Sequence, residues 1–590
     1  MKLLRLKITD PDGFRSLPCG FEHHFRSERS LKEELANPND FAPFVCAGPN
    51  GSGKSNLLEA LAAIFYQLEL LRVRRSFLPE VLQSETLDFS PTAFELDYLI
   101  RVPAEYRGSD SPEWAKVGVW KNMGESARFL WENQSDFDTG AYEAFKSGHA
   151  DILMPEYVLG YSSGENEILS LPFFKMRFIQ FDEYWDKLTK QSSYSGRPET
   201  RLAYLDNGFS QAILLCNLLF QDETTLQPFR QEVGIGALQT FRIILRRSIA
   251  VTRQQVSAFT SGEYLLPTET QDGRFTDTEA IYLDEETGDY RLNLLQGLER
   301  DDHTSIVGKL KRCATLHFHD EASDTLILDY WVNDETKNAF RANFDNSPLA
   351  LFQALQVLLA LNLYSVSEVL KSDLYTSTSH YVSETVPTLA SDERIMRFKN
   401  FYFTKQGVTE PMLLKELSDG EHQLLHSLGL CLLFSNTRSL FLLDEPETHF
   451  NPSWRASFIT RLGRCLGGEN GSQTEMLITT HSPFLISDST PDKVLVFSKN
   501  QDTGDVSINP PEYNTLGASI NKITHETFEK CETIGDGAQK VLQQLLTDPM
   551  SKTDPHGLAR KIMDTVGDSI ERTLAVHALL QTPRVDKEPG

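Results

Sequence analysis

Apolar and polar residues alternate at the start of the chain. Leu4, Leu6 and Ile8 are separated by Arg5 and Lys7, and a period of two predicts a half-buried strand. The alternation recurs where Phe94, Leu96, Tyr98, Ile100 and Val102 stand against Glu95, Asp97 and Arg101, and residues 117–120 and 128–131 read as further strands. Other apolar runs have no polar face. Phe44-Val45-Cys46-Ala47, Leu440-Phe441-Leu442-Leu443 and Met476-Leu477-Ile478 predict short strands buried on both sides. Helical spacing follows at 56–61 and again at 424–430.

From 151 to about 347 the pattern changes. A strand-like Tyr157-Val158-Leu159 precedes mostly helical sequence with polar loops near 191–200 and 267–277, and strand pairs at 315–318 and 325–332 come late. The most apolar helix spans 348–370 behind Ser347 as N-cap. Gln353, Gln356 and Asn362 interrupt it, which predicts a buried helix and no membrane span. Residues 397–403 read as a strand. Beyond Asn509 lies a helical tail with Val541, Leu542, Leu545 and Leu546 in register, and 583–590 are expected to be disordered.

Composition narrows the picture. The 590 residues suffice for two to four domains. A net charge of −26 argues against a surface that binds nucleic acid everywhere, though it leaves room for a local basic groove. The basic clusters Arg72, Arg74, Arg75 and Arg242, Arg246, Arg247 read as solvated faces. Seven scattered cysteines without a Cys-x-x-Cys pair suggest neither zinc nor disulfides, as in a reducing cytoplasm. The N-terminus lacks the apolar core of a signal peptide.

The chemistry begins at Gly48-Pro49-Asn50-Gly51-Ser52-Gly53-Lys54-Ser55, a complete phosphate-binding loop between a predicted strand and a helix. Its glycines let backbone N–H groups wrap a polyphosphate, aided by the positive end of the helix. Lys54 would reach the β- and γ-phosphates and the Ser55 hydroxyl would ligate Mg²⁺. Far downstream, an apolar strand ends in Asp444-Glu445-Pro446. The first carboxylate suits a Mg²⁺ shell and the second can polarise an attacking water. Leu417-Ser418-Asp419-Gly420-Glu421 opens a helix in which Ser418 and Glu421 form a capping box that leaves the glycine unexplained. Another buried strand ends at His481-Ser482-Pro483, a candidate γ-phosphate sensor.

The order of these four motifs resembles the ABC-class ATPase head, in the branch containing RecF, SMC, Rad50 and the OLD-like ATPases. Gly13-Phe14-Arg15-Ser16 is similar to that branch's first hairpin, and the resemblance covers roughly residues 1–105 and 390–500. It implies an α/β fold, a mixed β-sheet with flanking helices, interrupted by a large, mainly helical insertion and followed by a helical tail. The expected division is 1–150 for the first part of the head, 151–390 for the insertion, 391–508 for the second part and 509–590 for the tail.

In that family two heads sandwich two ATP molecules with Mg²⁺. The resemblance implies that Asn50, Gly51, Ser52, Gly53, Lys54, Ser55 and Asn56 hold ATP, that Ser418 and Gly420 meet the γ-phosphate held by Lys54 of the other protomer, and that Glu421 belongs to the same ATP-binding set. Ser55 and Asp444 would carry the metal, Glu445 would be the catalytic base and His481 the switch. His449-Phe450-Asn451-Pro452 would cross the dimer axis. The family's Q-loop glutamine has no clear match; Gln180 is the candidate, the segment Tyr161 to Glu167 stands where such a loop would lie, and its Ser162-Ser163-Gly164-Glu165 echoes the signature but reads as a tight turn and helix cap.

The chain has no heptad arms, no Cys-x-x-Cys hook and no Toprim-like acidic strand ends, and a large insertion separates it from importer subunits. It looks like the ATPase subunits of prokaryotic anti-phage systems, of Septu, retron or restriction-associated type. That likeness implies control of a separately encoded HNH-type nuclease, and in the retron case a reverse transcriptase with its msDNA, or DNA, as partner. The competing expectation is a RecF- or Rad50-like repair ATPase that binds DNA directly.

Overall fold

A computed structural model describes residues 1–37, 41–83, 89–108, 111–137, 152–163, 167, 169–190, 192, 194–271 except 260–269, 278, 280–285, 287–299, 303–378, 386, 388–466, 473–530 and 533–581. The predicted loop near 267–277 and the end at 583–590 lie largely or wholly outside these residues.

The strands without a polar face assemble as that composition requires. Phe44–Ala47, Ser439–Asp444 and Glu475–Thr479 are buried at every position. They form the middle of a seven-stranded sheet with the order Val506–Asn509, Val494–Lys499, Phe44–Ala47, Glu475–Thr479, Ser439–Asp444, Tyr157–Ser162, Leu202–Tyr204. All neighbours are parallel except the Val494–Lys499 and Val506–Asn509 pair. Parallel strands covered on both faces leave their C-terminal ends as the place for chemistry. The register gathers those ends: Asp444 lies opposite Thr479 on one side and Ser162 on the other, and Thr479 lies opposite Cys46.

The alternating segments form antiparallel sheets. Lys2–Ile8 pairs with Glu22–His24 and Phe94–Arg101, which continues through Trp114–Lys121 to Arg128–Trp131. A second five-stranded sheet has the order Leu316–Asp320, Thr325–Trp331, Ile235–Arg246, Met396–Lys405, Met412–Leu413. Both sheets and the central one share a core with the buried helix Lys54–Arg72.

Two expectations change here. Among the described residues the stretch 151–390 carries eight strands beside its helices. Two of them, Tyr157–Ser162 and Leu202–Tyr204, belong to the central sheet, and Ile235–Arg246 pairs with Met396–Lys405 across the expected boundary near 391. The apolar helix predicted over 348–370 is three pieces: Pro348–Ala360, a 3-10 turn Leu361–Ser365 and Glu368–Thr376. Ser347 does cap the first, accepting from Ala350 N at 3.1 Å. The stretch Pro348–Ser365 is long and apolar enough to cross a membrane, but its Leu351, Phe352, Leu355 and Leu358 are packed inside the core.

Both basic clusters are largely paired internally. Arg72 meets Glu69, Arg74 meets Glu199, Arg242 meets Asp329 and Arg247 meets Glu299. A buried ionic cluster ties the N-terminal hairpin to the central sheet. Arg26 contacts Glu475 at 2.7 Å and Glu34 at 3.0 Å, and Lys493 joins Glu34 from the other side. In the tail, Leu542, Leu558, Ile562, Val566, Ala575 and Leu579 form a small core of their own.

Candidate nucleotide site

The phosphate loop runs from Phe44–Ala47 into Lys54–Arg72. Two glycines are demanded by its path. Gly48 has φ +145°, and a Cβ there would lie 2.4 Å from the Phe497 carbonyl oxygen; Gly53, the helix N-cap, has φ +93°. Lys54 folds back over the loop, its Nζ donating to the carbonyls of Gly48 and Pro49 at 3.0 Å each. Burial pulls its pKa down, and Glu445 and Asp444 oppose that pull. The Ser52 hydroxyl is buried and has no hydrogen-bond partner among the described residues, as a group kept for an incoming acceptor would be. Asn50 and Gly51 are exposed on the loop, and Asn56 donates to Ser16 Oγ at 2.6 Å, tying the loop to the first hairpin.

Asp444 closes the floor. Its carboxylate is fully buried and accepts from Ser55 Oγ at 2.7 Å, Thr479 Oγ1 at 2.5 Å and Ser162 Oγ at 3.4 Å. A serine hydroxyl and a carboxylate at the foot of a phosphate loop are hard oxygen donors, and phosphate oxygens and water can complete the octahedron that Mg²⁺ requires. The residues present fit that ion. Thr479 and Ser162 escaped the sequence reading; the one available signal was Thr479-Thr480 closing a buried strand just before His481.

Glu445 is the next residue and has φ +49°, a left-handed conformation rare for a non-glycine. Its N–H is held by the Thr479 hydroxyl at 3.0 Å and carbonyl at 3.2 Å. Its half-exposed carboxylate lies 3.4 Å from His481 Nε2. Burial and the adjacent Asp444 raise the Glu445 pKa, which makes it a stronger proton acceptor. Burial and the Lys54 charge hold His481 down at about 4, so its imidazole is neutral near pH 7. From the tail, Phe528 brings its ring to 6.0 Å from that imidazole. Behind the site Glu447, pushed up to about 7 by burial, accepts from the Thr480 hydroxyl.

Ser418, Gly420 and Glu421 stand apart from this cluster. Ser418 is exposed and caps the helix Asp419–Leu433, with Glu421 Oε2 accepting from its N–H at 2.9 Å. Lys405 fixes the same glutamate at 2.6 Å. Among the described residues the three make no hydrogen bond to the phosphate loop. Gly420 has an explanation inside one chain. A Cβ there would lie 2.8 Å from the His449 carbonyl oxygen, while Gln423 Oε1 accepts from His449 N at 3.0 Å. Gly420→Ala should therefore push the loop after Glu445 off its helix and cost about 1–3 kcal/mol, measurable by chemical denaturation.

Gln180 is placed elsewhere. It is buried in the helix Leu171–Thr189 and accepts from Gln356, so it is no metal ligand here. The segment read as a turn and cap lies at the site instead: besides Ser162, Ser163 donates its N–H to the Asp444 carbonyl at 3.1 Å, and its hydroxyl meets Thr448 at 2.8 Å. Residues 164–166 lie outside the described part.

A phosphate loop whose serine meets a buried aspartate at the end of a parallel strand, with Glu445 and His481 beside it, defines a P-loop ATPase. The family model described as "AAA domain, putative AbiEii toxin, Type IV TA system" matches residues 314–487, which include the capped helix, Asp444, Glu445 and His481 but not the phosphate loop. The chain is 25% identical over 138 residues to protein ea59 of Escherichia phage lambda, 23% of this chain and 25% of that protein. It thus spans about a quarter of the length of this curated relative. A crystal structure of the Smc head domain with an extended coiled coil, bound to the C-terminal domain of ScpA, from Pyrococcus furiosus, aligns over 86% of this chain and 95% of that one, with TM-score 0.27 and 12% identity.

Proposed function

We propose that the chain is an ATP-hydrolysing subunit that closes as a dimer around ATP in the cytoplasm and controls a separately encoded nuclease, of HNH type, in anti-phage defence. The observation that carries the ATPase reading is the unbroken contact chain Ser55, Asp444, Thr479, Glu445, His481. Lys54 exchanges the carbonyls of Gly48 and Pro49 for phosphate oxygens. Bound Mg²⁺ would supply charge neutralisation and orientation of the phosphates, held by Ser55 and Asp444. Glu445 takes the proton of the attacking water, and neutral His481 orients it and the γ-phosphate. The toxin-system description of the matching family supports the defence setting.

The shared-site reading is supported by Ser418, exposed on a rigidly capped helix and making no hydrogen bond to its own phosphate loop among the described residues. Ser418→Arg should bind ATP as the wild type does yet lose ATP-driven dimerisation and turnover. Nucleotide binding by fluorescence and mass by light scattering check this. Wild-type turnover by the substituted protein would sink the shared site. The second reading, an ATPase that binds DNA directly, draws on one feature, an open sheet face with aromatic and basic side chains.

A further inference from the structure

The sheet centred on Ile235–Arg246 buries one face and leaves most of the other open, Ile244 on that second face being closed off at 7% exposure. Phe241, Ile243, Leu245, Leu328 and Tyr330 point into the core. Alternation sends their neighbours outward. On the edge strand Leu316–Asp320 and its neighbour Thr325–Trp331 the outward residues include Leu316, Phe318 and Trp331, which are 61%, 57% and 69% exposed. Side chains of this size left in water on adjoining strands mark an interaction surface. Leu316 lies opposite Asp329 and Phe318 opposite Ile327, so all three share the outward face. Four strand residues, or about 13 Å, separate Ile327 from Trp331 at ~3.3 Å per residue.

Moving inward, the same face becomes basic. Arg242 lies opposite both Asp329 and Lys399, and Ile244 lies opposite Arg397. Asp329 takes Arg242 in a two-pronged contact at 2.6 and 2.7 Å, while Lys399 is exposed to solvent. Tyr402 continues the outward row on Met396–Lys405.

We propose that this face binds single-stranded nucleic acid, unpaired bases stacking on Phe318 and Trp331 and the phosphodiester backbone crossing Arg397 and Lys399. An antiparallel sheet that offers aromatic rings beside cations suits unpaired bases, whose faces are free, and not a duplex, whose faces are already stacked. Local cations matter more on a chain of net charge −26, which otherwise repels polyanions. Those cations work against a second copy as occupant, because it would bring basic face onto basic face. The strand Met396–Lys405 ends at Lys405, whose Nζ lies 2.6 Å from Glu421 in the cap of the Ser418 helix. Occupancy of the face thus has a short route to the ATPase, and only this coupling rests on the function proposed above.

The test is fluorescence anisotropy of the full chain, without nucleotide, against labelled oligo-dT and oligo-U of about 20 nucleotides and a duplex of the same length. The expected result is salt-sensitive binding of a single-stranded probe, the dT and U arms separating DNA from RNA. Phe318→Ala, Trp331→Ala and Lys399→Glu should each weaken it by about tenfold or more. These side chains are exposed, so melting temperature and ATP binding should hold. No binding, equal binding of the duplex, or binding indifferent to all three substitutions overturns the proposal. So does a changed oligomeric state in the variants without oligonucleotide binding, which would make the face a self-interface. ATP turnover measured separately keeps the two readings distinct: dead turnover with intact oligonucleotide binding counts against the ATPase reading alone.

Discussion

Glu445→Gln should cut ATP turnover by about 10²–10⁴-fold, the range of a lost general base, while ATP still binds. Glutamine keeps the size of the side chain and the left-handed backbone at φ +49°, held by the two Thr479 contacts. What disappears is the proton acceptor, whose affinity for a proton burial and Asp444 have raised. Removing a negative charge beside a polyphosphate also lowers repulsion, so the ATP-loaded dimer should accumulate where the wild type cycles. Phosphate release and size-exclusion chromatography with ATP check both halves. Turnover within tenfold of the wild type would remove Glu445 from its role.

Arg26→Ala should destabilise the fold by about 3–5 kcal/mol, because it strands buried carboxylates without their cation. The Arg26 side chain is 1% exposed and Glu475 2%. Burial alone would raise both acids, but Arg26 and Lys493 carry Glu34 down from the usual 4.5 to about 2 and hold Glu475 low as well. The sign follows. Acids with depressed folded pKa values contribute fully above the unfolded value near 4.5, and the contribution is lost as pH falls through the folded values toward 2. Urea denaturation of the wild type should therefore weaken steeply over that window. Arg26→Ala should start lower at pH 7 and show a shallower acid dependence; an unchanged dependence would dissolve the assignment.

Much of the nucleotide site was legible because its chemistry is local. Spacing alone placed the phosphate loop on a strand–helix turn, the capping box at Ser418 and the acids at the end of a buried strand. Sheet order was not legible, since nothing near Tyr157 or Leu202 says which strand they will join. Nor was Thr479, whose hydroxyl looks like any other until the register sets it opposite Asp444. The strand Ile235–Arg246 inside the insertion was not legible, for a definable reason. Its buried positions run Ile235, Leu238, Phe241 and then Ile243, Ile244 and Leu245 together, and steps of three followed by an unbroken apolar run imitate a helix. Register shifts in the partner strand between Lys399 and Lys405 accompany that irregularity. The resemblance gives Gly420 to the γ-phosphate, and the His449 carbonyl adds a second reason for the missing side chain that no sequence pattern shows.

Phe528 reaches the proposed catalytic pair from the tail. It ends the helix Ile520–Phe528, which follows the last strand of the central sheet, and its ring lies against the imidazole that neighbours Glu445. A molecule that grips the tail and draws this helix away would unroof His481 and let water raise its proton affinity. In the ATPase proposed above, the helix Ile520–Phe528 would thereby be a handle on the tempo of hydrolysis that never touches the nucleotide.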